Sequence, residues 1–143
     1  MQREKNKTKI PFKLKRYIIY ALSILFSFII ILYGIICWTI FLDVKKVCNK
    51  ATREFKGDTI ESLTELLNSD INSYEEKNDA IWALGQIGDP KALPLLEKFY
   101  TGNPCEKPCR RNQSICQREV SKAIQTCKGA FSATRWMYFS YRN

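Results

Sequence analysis

An uncharged run of twenty-six residues, residues 17–42, constrains the fold of this 143-residue chain more than any other feature. About twenty apolar residues suffice for a helix to cross the hydrocarbon core of a bilayer, so the run can span a membrane with some tilt. Tyr17 and Tyr20 near one end and Trp38 near the other match the aromatic residues found at membrane interfaces. A soluble domain of this size cannot enclose so many apolar positions on every face of one helix. The sequence therefore predicts a transmembrane helix.

A cleaved signal peptide is the main alternative, because a basic segment precedes the apolar run. The run is about twice as long as the apolar region of a signal peptide, and no small-residue cleavage pattern follows it. Ile36 precedes Cys37, where a lipoprotein site would need a small residue. We therefore expect an uncleaved anchor, in which Cys37 is an inert residue of the span.

The flanking charges and the cysteines predict the orientation of the anchor. Residues 1–16 carry seven Lys and Arg residues, and residues 43–57 carry five; the more basic flank usually faces the cytoplasm. Five of the six cysteines follow the run: Cys48, Cys105, Cys109, Cys116 and Cys127. Such a density suits an oxidising compartment. We expect a basic cytoplasmic tail and an extracytoplasmic domain, either periplasmic or extracellular.

The net charge of +9 belongs mostly to the same N-terminal tail. Residues 43–143 are nearly balanced, with sixteen basic against thirteen acidic side chains. Basic residues beside a span contact anionic lipid headgroups, whereas nucleic-acid binding would need a basic stripe along the domain. We therefore expect the lipid bilayer as a partner and no nucleic acid.

Helix signals follow one another at regular intervals after the span. Apolar residues at helical spacing predict a juxtamembrane amphipathic helix within residues 43–57, which Gly57 ends. Capping residues mark four further helix starts: Asp58 with Glu61, Ser73 with Glu76, Asp89 before Pro90, and Ser114 with Gln117. The predicted helices cover residues 59–68, 74–87, 90–101 and 115–128.

The apolar stripes of these four helices repeat along the chain. The first and third helices align at an offset of 33 residues, and the second and fourth align at an offset of 40. Residues 58–129 therefore contain two helical hairpins, and the second has gained seven residues between its helices. Residues 130–143 remain as an aromatic C-terminal tail.

The segment NDAIWALGQIGDPKALPLLEKFYTG, residues 78–102, resembles the junction between consecutive HEAT-like repeats of the phycobilisome-lyase type. In that family the pattern A-L-G-x-I-G-D-P-x-A-x-P-x-L joins the inner helix of one repeat to the outer helix of the next. The matching residues are Ala83, Leu84, Gly85, Ile87, Gly88, Asp89, Pro90, Ala92, Pro94 and Leu96. Gly85 would let two helices approach closely, Gly88 would adopt the left-handed cap, and Asp89 would cap the next helix.

Together with the apolar run, the resemblance predicts an all-α fold, in which a single transmembrane helix is followed by a short α-solenoid of two HEAT-like helical hairpins. Such repeats usually present a helical surface to another protein. The implied function is a membrane-anchored, extracytoplasmic HEAT-repeat module for protein–protein interaction, a scaffold or accessory subunit of a membrane complex. Its partners would be other membrane or extracytoplasmic proteins. Because two repeats are few for a stable stack, we expect the juxtamembrane helix to cap one end, and the cysteines or the tail to secure the other.

The cysteines of the domain allow several pairings. Cys116 and Cys127 are about 16 Å apart along one helix, which is too far for a disulfide. A bridge from Cys48 to Cys127 is geometrically reasonable, and Cys105 or Cys109 can reach Cys116. One thiol would then be free or would link two chains as a disulfide-bonded homodimer. Cys116 and Cys127 are alternatively small buried apolar residues.

A zinc site built from the same thiols is a weaker alternative. Its ligands would be Cys105, Cys109, Cys116 and Cys127. The separation of Cys116 and Cys127 along one helix prevents both from binding a single ion. We therefore predict no metal site.

The composition argues against catalysis. The chain contains no histidine, which removes the commonest general base, and it has no glycine-rich phosphate loop. We predict no catalytic residue, no cofactor and no enzyme activity, and the bilin attachment known in this repeat class would need a larger pocket. A thiol redox or sensing protein that uses the loop cysteines is the alternative function.

The C-terminal tail combines aromatic and arginine side chains, which are enriched at protein interfaces and at the membrane–water boundary. The candidate partner or membrane contacts are Trp136, Tyr138, Phe139, Tyr141, Arg135 and Arg142. The alternative is that these rings cover the exposed end of the last repeat.

Overall fold

The computed structural model describes residues 11–103 and 109–141, and the described part is all-helical, without strands. Its helices are α1 (Phe12–Glu54), α2 (Thr59–Asn68), α3 (Tyr74–Ile87), α4 (Leu93–Phe99) and α5 (Gln117–Cys127). Two 3₁₀ segments accompany them, Pro90–Ala92 directly before α4 and Arg135–Tyr141 near the C-terminus. The all-α prediction is confirmed. The chain divides into two compact units, Met1–Ile36 and Cys37–Asn143.

The long helix α1 contains the uncharged run without interruption. Its most apolar 18-residue window has a mean hydropathy of 2.5, and 6% of that window is buried. The helix is therefore long and apolar enough to cross a membrane. A signal sequence meets the same criterion, since this helix lies near the N-terminus.

The first hairpin begins at the predicted capping boxes. The Asp58 carboxylate accepts a hydrogen bond of 2.7 Å from the Glu61 backbone N–H, and the Glu61 side chain accepts one from the Asp58 N–H. Ser73 and Glu76 form the same reciprocal pair at the start of α3. Both helices have the bounds that the sequence predicted, because each cap satisfies the free N–H groups of its helix locally.

The second hairpin differs from its predicted bounds. The helix expected over residues 90–101 is a 3₁₀ turn followed by the short α4, and it ends at Phe99. The helix expected over residues 115–128 begins at Gln117, and Cys116 rather than Ser114 occupies its N-cap position. The Ser114 carbonyl instead accepts a hydrogen bond from the buried Asn78 side chain, which keeps Ser114 outside the helix.

Helix α3 lies at the centre of the domain, between α2 and α5. Helices α3 and α5 run parallel, because Asn78 contacts Cys116 near their N-termini and Gly85 lies against Ala123 further along. A Cβ atom on Gly85 would stand 3.0 Å from the Ala123 Cα, closer than real Cβ atoms normally come. This glycine therefore permits the close approach of the two hairpins.

The part of α1 that follows the uncharged run belongs to the core of the domain. Val44, Cys48 and Ala51 are buried in the same apolar cluster as the faces of α2, α3 and α5. This part of α1 runs antiparallel to α3. Lys50 lies near the start of α3, whereas Phe41 contacts the C-terminal 3₁₀ segment, which is bonded to Gly88 at the end of α3. The predicted amphipathic stripe is thus present, although α1 ends at Glu54 rather than at Gly57.

One of the two expected disulfides is present in the described residues. Cys109 and Cys116 are bonded, with their Cα atoms 5.4 Å apart. The expected bridge between Cys48 and Cys127 is absent, and both are free buried thiols. The Cys127 sulfur lies 3.9 Å from the Leu84 carbonyl oxygen, so each thiol is enclosed by the core as a small apolar residue would be. Cys105 lies outside the described residues.

Candidate partner-binding groove

A groove of about 1130 Å³ runs along the C-terminal part of α1. One wall is α1 from Leu42 to Glu54, and the other is formed by Asp79 and Trp82 of α3 together with Arg111 of the loop before α5. The wall on α1 is polar because Val44, Cys48 and Ala51 turn the apolar side of the helix into the core. Side chains three and four positions apart then form a neighbouring hydrophilic stripe.

Two of the basic groups at the groove are held by acids. Lys50 donates a hydrogen bond to the Glu76 carboxylate, and its ammonium also lies 4.0 Å from Glu54. The Arg111 guanidinium pairs with Asp79 at 2.5 Å. The hydrogen bond from Lys50, followed by those from Ser73, lowers the pKa of Glu76 to about 2. Both pairs are substantially exposed, so they position side chains more than they stabilise the fold.

Three other basic groups of the lining remain available. Lys45, Lys46 and Arg53 are exposed, and none of them has an ion pair with a residue of the described part. The lining contains three acids. Glu54 and Asp79 are paired with Lys50 and Arg111, so Asp43 is the acid without an ion pair in the described part. The groove therefore presents more unpaired positive than negative charge to whatever enters it.

Trp82 supplies the apolar part of the groove. Its side chain is half-buried and packs against the domain core together with Val47. A rigid aromatic ring next to arginine side chains is the composition that dominates binding energy at protein interfaces.

Asn78 fixes the loop that carries Arg111. Its side-chain amide is fully buried and donates hydrogen bonds of 2.8 Å to the carbonyls of Arg111 and Ser114. Its carbonyl oxygen accepts one of 2.8 Å from the Cys116 N–H. With the disulfide from Cys109 to Cys116, these bonds hold the far end of the groove in place.

Sequence reasoning missed this groove. Trp82 and Arg111 are distant from α1 in the chain, so only the packing of α3 against α1 brings them together. A partial signal was present: Lys46, Asn49 and Arg53 recur at helical spacing beside the apolar stripe. Asn78 gave no such signal, since Lys77 and Asp79 beside it are also polar and only the structure shows that its side chain is buried.

The predicted contacts of the C-terminal tail divide into buried and exposed side chains. Tyr138 is fully buried, and its ring stacks on Phe41 with the centroids 5.9 Å apart; it is therefore part of the core and not a contact residue. Burial raises its pKa above the ordinary value. The Arg135 guanidinium donates to the Gly88 carbonyl at 3.2 Å, and Tyr141 is partly buried.

Trp136 and Phe139, in contrast, remain exposed. Arg142 lies outside the described residues. Tyr138 thus packs inward against α1, whereas these two rings do not, and the alternative that the tail covers the end of the last repeat stays a prediction.

The free thiols of Cys48 and Cys127 are unreactive. Burial raises the pKa of Cys48 to about 12 and that of Cys127 to about 11, so neither forms a reactive thiolate near neutral pH. Among the described residues, no group of three or more Cys, Asp or Glu side chains is arranged to hold a metal ion.

Comparison with protein families finds one match. Residues 77–101 match the PBS lyase HEAT-like repeat, which corresponds in the structure to most of α3, the Pro90–Ala92 turn and α4. The signature residues have the expected geometry: Gly88 adopts the left-handed conformation with φ 65°, and Asp89 accepts a hydrogen bond of 2.8 Å from the Lys91 N–H. The chain therefore contains a HEAT-like repeat, a class that generally binds other proteins rather than catalysing reactions. No curated protein and no solved structure matches.

Proposed function

We propose that this chain is a membrane-anchored HEAT-like repeat module whose groove binds an acidic segment of another membrane-associated or extracytoplasmic protein. The observation that carries the proposal is the set of three exposed cations without an ion pair in the described part, Lys45, Lys46 and Arg53, which line the groove together with Trp82. A partner that carries carboxylates would pair with these cations and cover the ring.

Three features support the membrane setting of the proposal. The apolar run within α1 is long enough to span a bilayer. The basic residues are more numerous on residues 1–16 than on residues 43–57, which favours a cytoplasmic N-terminus. The disulfide between Cys109 and Cys116 suits an oxidising, extracytoplasmic compartment.

The length of the groove favours a protein partner over lipid headgroups. An α-helix rises 1.5 Å per residue, so Arg53 stands about 16 Å beyond Leu42 along α1. The headgroup layer of one leaflet is only about 5 to 8 Å thick. Lys45 and Lys46 are therefore within reach of lipid phosphates, whereas Arg53 and the half of the groove around it are beyond them.

The alternative thiol redox function has less support. That function would use the loop cysteines, and of these Cys109 is bonded to Cys116 while Cys105 lies outside the described residues. Cys48 and Cys127 are free, but they are buried and have raised pKa values. A redox sensor needs an accessible thiolate. A scaffold or accessory role in a membrane complex is therefore the function that we propose.

Charge reversal combined with crosslinking in intact membranes tests this function. A photo-crosslinking residue in place of Asn49, which is exposed in the lining, would capture a protein partner in the unaltered chain. We expect the double variant Lys46→Glu/Arg53→Glu to lower the yield of adduct by about tenfold or more, since like charges at an interface cost several kcal/mol.

The matched control is Lys98→Glu/Arg118→Glu, which makes the same change of charge at exposed positions outside the groove and should leave the adduct intact. Once the partner is identified, replacing its acidic residues with lysine should restore binding to the reversed groove. Adducts with lipid alone, or equal yields from both double variants, would overturn the proposal.

A further inference from the structure

The C-terminal 3₁₀ segment, Arg135–Tyr141, is fixed beside the end of the apolar run. Tyr138 stacks on Phe41, and Phe41 in turn contacts Trp38, with ring centroids 5.9 Å and 6.0 Å apart. Because the uncharged run ends at Leu42, the buried Tyr138 holds this segment next to the point where the run ends.

The outer side of this region carries large aromatic side chains that nothing in the described part of the domain covers. Trp136 is 72% exposed, Phe139 is 69% exposed, and Phe131, shortly before the segment, is 95% exposed. Trp136 and Phe139 are three positions apart in the same 3₁₀ segment, where side chains at this spacing lie close together. Single exposed apolar side chains are ordinary, whereas neighbouring ones mark a surface that another phase or molecule covers.

Basic side chains occur in the segment and directly after the apolar run. Arg135 belongs to the segment itself and is only partly buried. Lys45 and Lys46 lie about one helical turn beyond Phe41 on α1 and are exposed. Tryptophan together with lysine and arginine is the composition of protein surfaces at the boundary between lipid headgroups and acyl chains.

We propose that the C-terminal segment lies in the interfacial layer of the bilayer, with Trp136 and Phe139 at the level of the lipid headgroups. The proposal rests on the membrane anchor proposed above. The domain then touches the membrane through two separate parts of the chain, the end of the apolar run and the segment stacked on it. A lipid surface is the favoured partner of the exposed rings, because the stacking of Tyr138 on Phe41 places the segment beside the end of the apolar run.

Tryptophan fluorescence in reconstituted vesicles tests this contact, since the chain has three tryptophans. Three full-length variants each keep one of them: Trp136 with Trp38→Phe/Trp82→Phe, Trp82 with Trp38→Phe/Trp136→Phe, and Trp38 with Trp82→Phe/Trp136→Phe. The vesicles contain phosphatidylcholine with a minor fraction of phosphatidylglycerol, and the acyl chains are brominated either near the glycerol backbone or near the chain end.

We expect Trp136 to lose most of its emission to bromines near the glycerol backbone and much less to bromines near the chain end. Trp38 should be quenched as well, and Trp82 in the groove should keep its emission. Protection of Cys48 and Cys127 from a maleimide reagent shows that each variant is folded, because both thiols are buried.

Two negative results are distinguishable. If Trp38 is quenched and Trp136 is not, the anchor stands and the interfacial contact is wrong; the exposed rings would then face a protein or a second copy of the chain. If neither is quenched in a folded variant, the membrane anchor is wrong, and this proposal fails with it.

Discussion

The two helical hairpins of the domain differ in the contacts that fix their helix starts and connections. The connection within the first hairpin is short, and each of its helices begins with a reciprocal capping box, at Asp58 and at Ser73. The connection within the second hairpin is long, and the bonds that fix its end come from a disulfide and from Asn78 on a different hairpin. The first hairpin is thus specified by neighbours in sequence, and the second depends on the first.

Removal of the Asn78 amide should lower the free energy of unfolding most, because it removes the contacts through which the second hairpin depends on the first. Asn78→Ala leaves the carbonyls of Arg111 and Ser114 and the N–H of Cys116 without their partner. An unpaired buried polar group, here the Cys116 N–H, costs about 1 to 3 kcal/mol. The two carbonyls belong to exposed residues and cost less, so we expect a total loss of about 3 kcal/mol. Urea unfolding of the full chain in detergent measures it.

The matched control for this change is Asn49→Ala, at an exposed position of α1, which should alter the free energy of unfolding by less than about 0.5 kcal/mol. Equal effects of the two substitutions would show that the second hairpin does not depend on Asn78.

Loss of the disulfide should have the next largest effect. Cys109 and Cys116 enclose a short loop, with a sequence separation of 7, and the chain-entropy estimate for a loop of this size is about 2 kcal/mol. We expect Cys109→Ser/Cys116→Ser to lower the free energy of unfolding by this amount. The same reduction should appear when the unaltered chain is treated with a reductant, and the reductant should then leave the double variant unchanged.

Loss of a cap in the first hairpin should have a smaller, local effect. Asp58→Ala and Ser73→Ala each remove a side-chain acceptor from a helix N-terminus, at a cost of about 1 kcal/mol. Hydrogen exchange should quicken in the first turn of the helix concerned and stay unchanged around Cys116. Faster exchange across the second hairpin would contradict the independence of the first.

The contact between Glu76 and Lys50 should make the smallest contribution to stability, and this contribution should depend on pH. The pKa of Glu76 in the folded chain is lowered to about 2, chiefly by the hydrogen bond from Lys50. A carboxylate with a lowered pKa contributes stability above its unfolded pKa of about 4.3, and this contribution is lost as pH falls toward about 2. Because both side chains are partly exposed, the contribution is small. Glu76→Gln should flatten the stability curve in that range, whereas Glu75→Gln, at the neighbouring exposed position, should not.

The contrast between the hairpins also explains how much of the fold the sequence could predict. The bounds of α2 and α3 follow from Asp58 and Ser73, since a cap and the helix that it starts are adjacent in the chain. The start of α5 could not be predicted in the same way, because Asn78 binds the Ser114 carbonyl from 36 residues away. Gly85 was correctly expected to allow a close approach between helices.

The candidate groove was harder to predict than the fold. Its cations on α1 follow a visible helical spacing, but Trp82 and Arg111 join them only through tertiary packing. The thiols of Cys48 and Cys127 suggested a bridge because both were expected at one end of the domain. The structure instead encloses each of them in the apolar core, which a stripe pattern alone cannot distinguish from pairing.

If the apolar run anchors the chain as proposed, the burial of Val44, Cys48 and Ala51 in the core has a consequence for proteolytic release of the domain from the membrane. A protease that cuts the chain after Lys45 or Lys46 would release a fragment without Val44, one of the fully buried side chains. Such a fragment lacks part of its own interior and should unfold more easily. Intact release therefore requires a cut before Val44, within a few residues of the end of the apolar run, so the stability of the domain and its attachment to the membrane are linked.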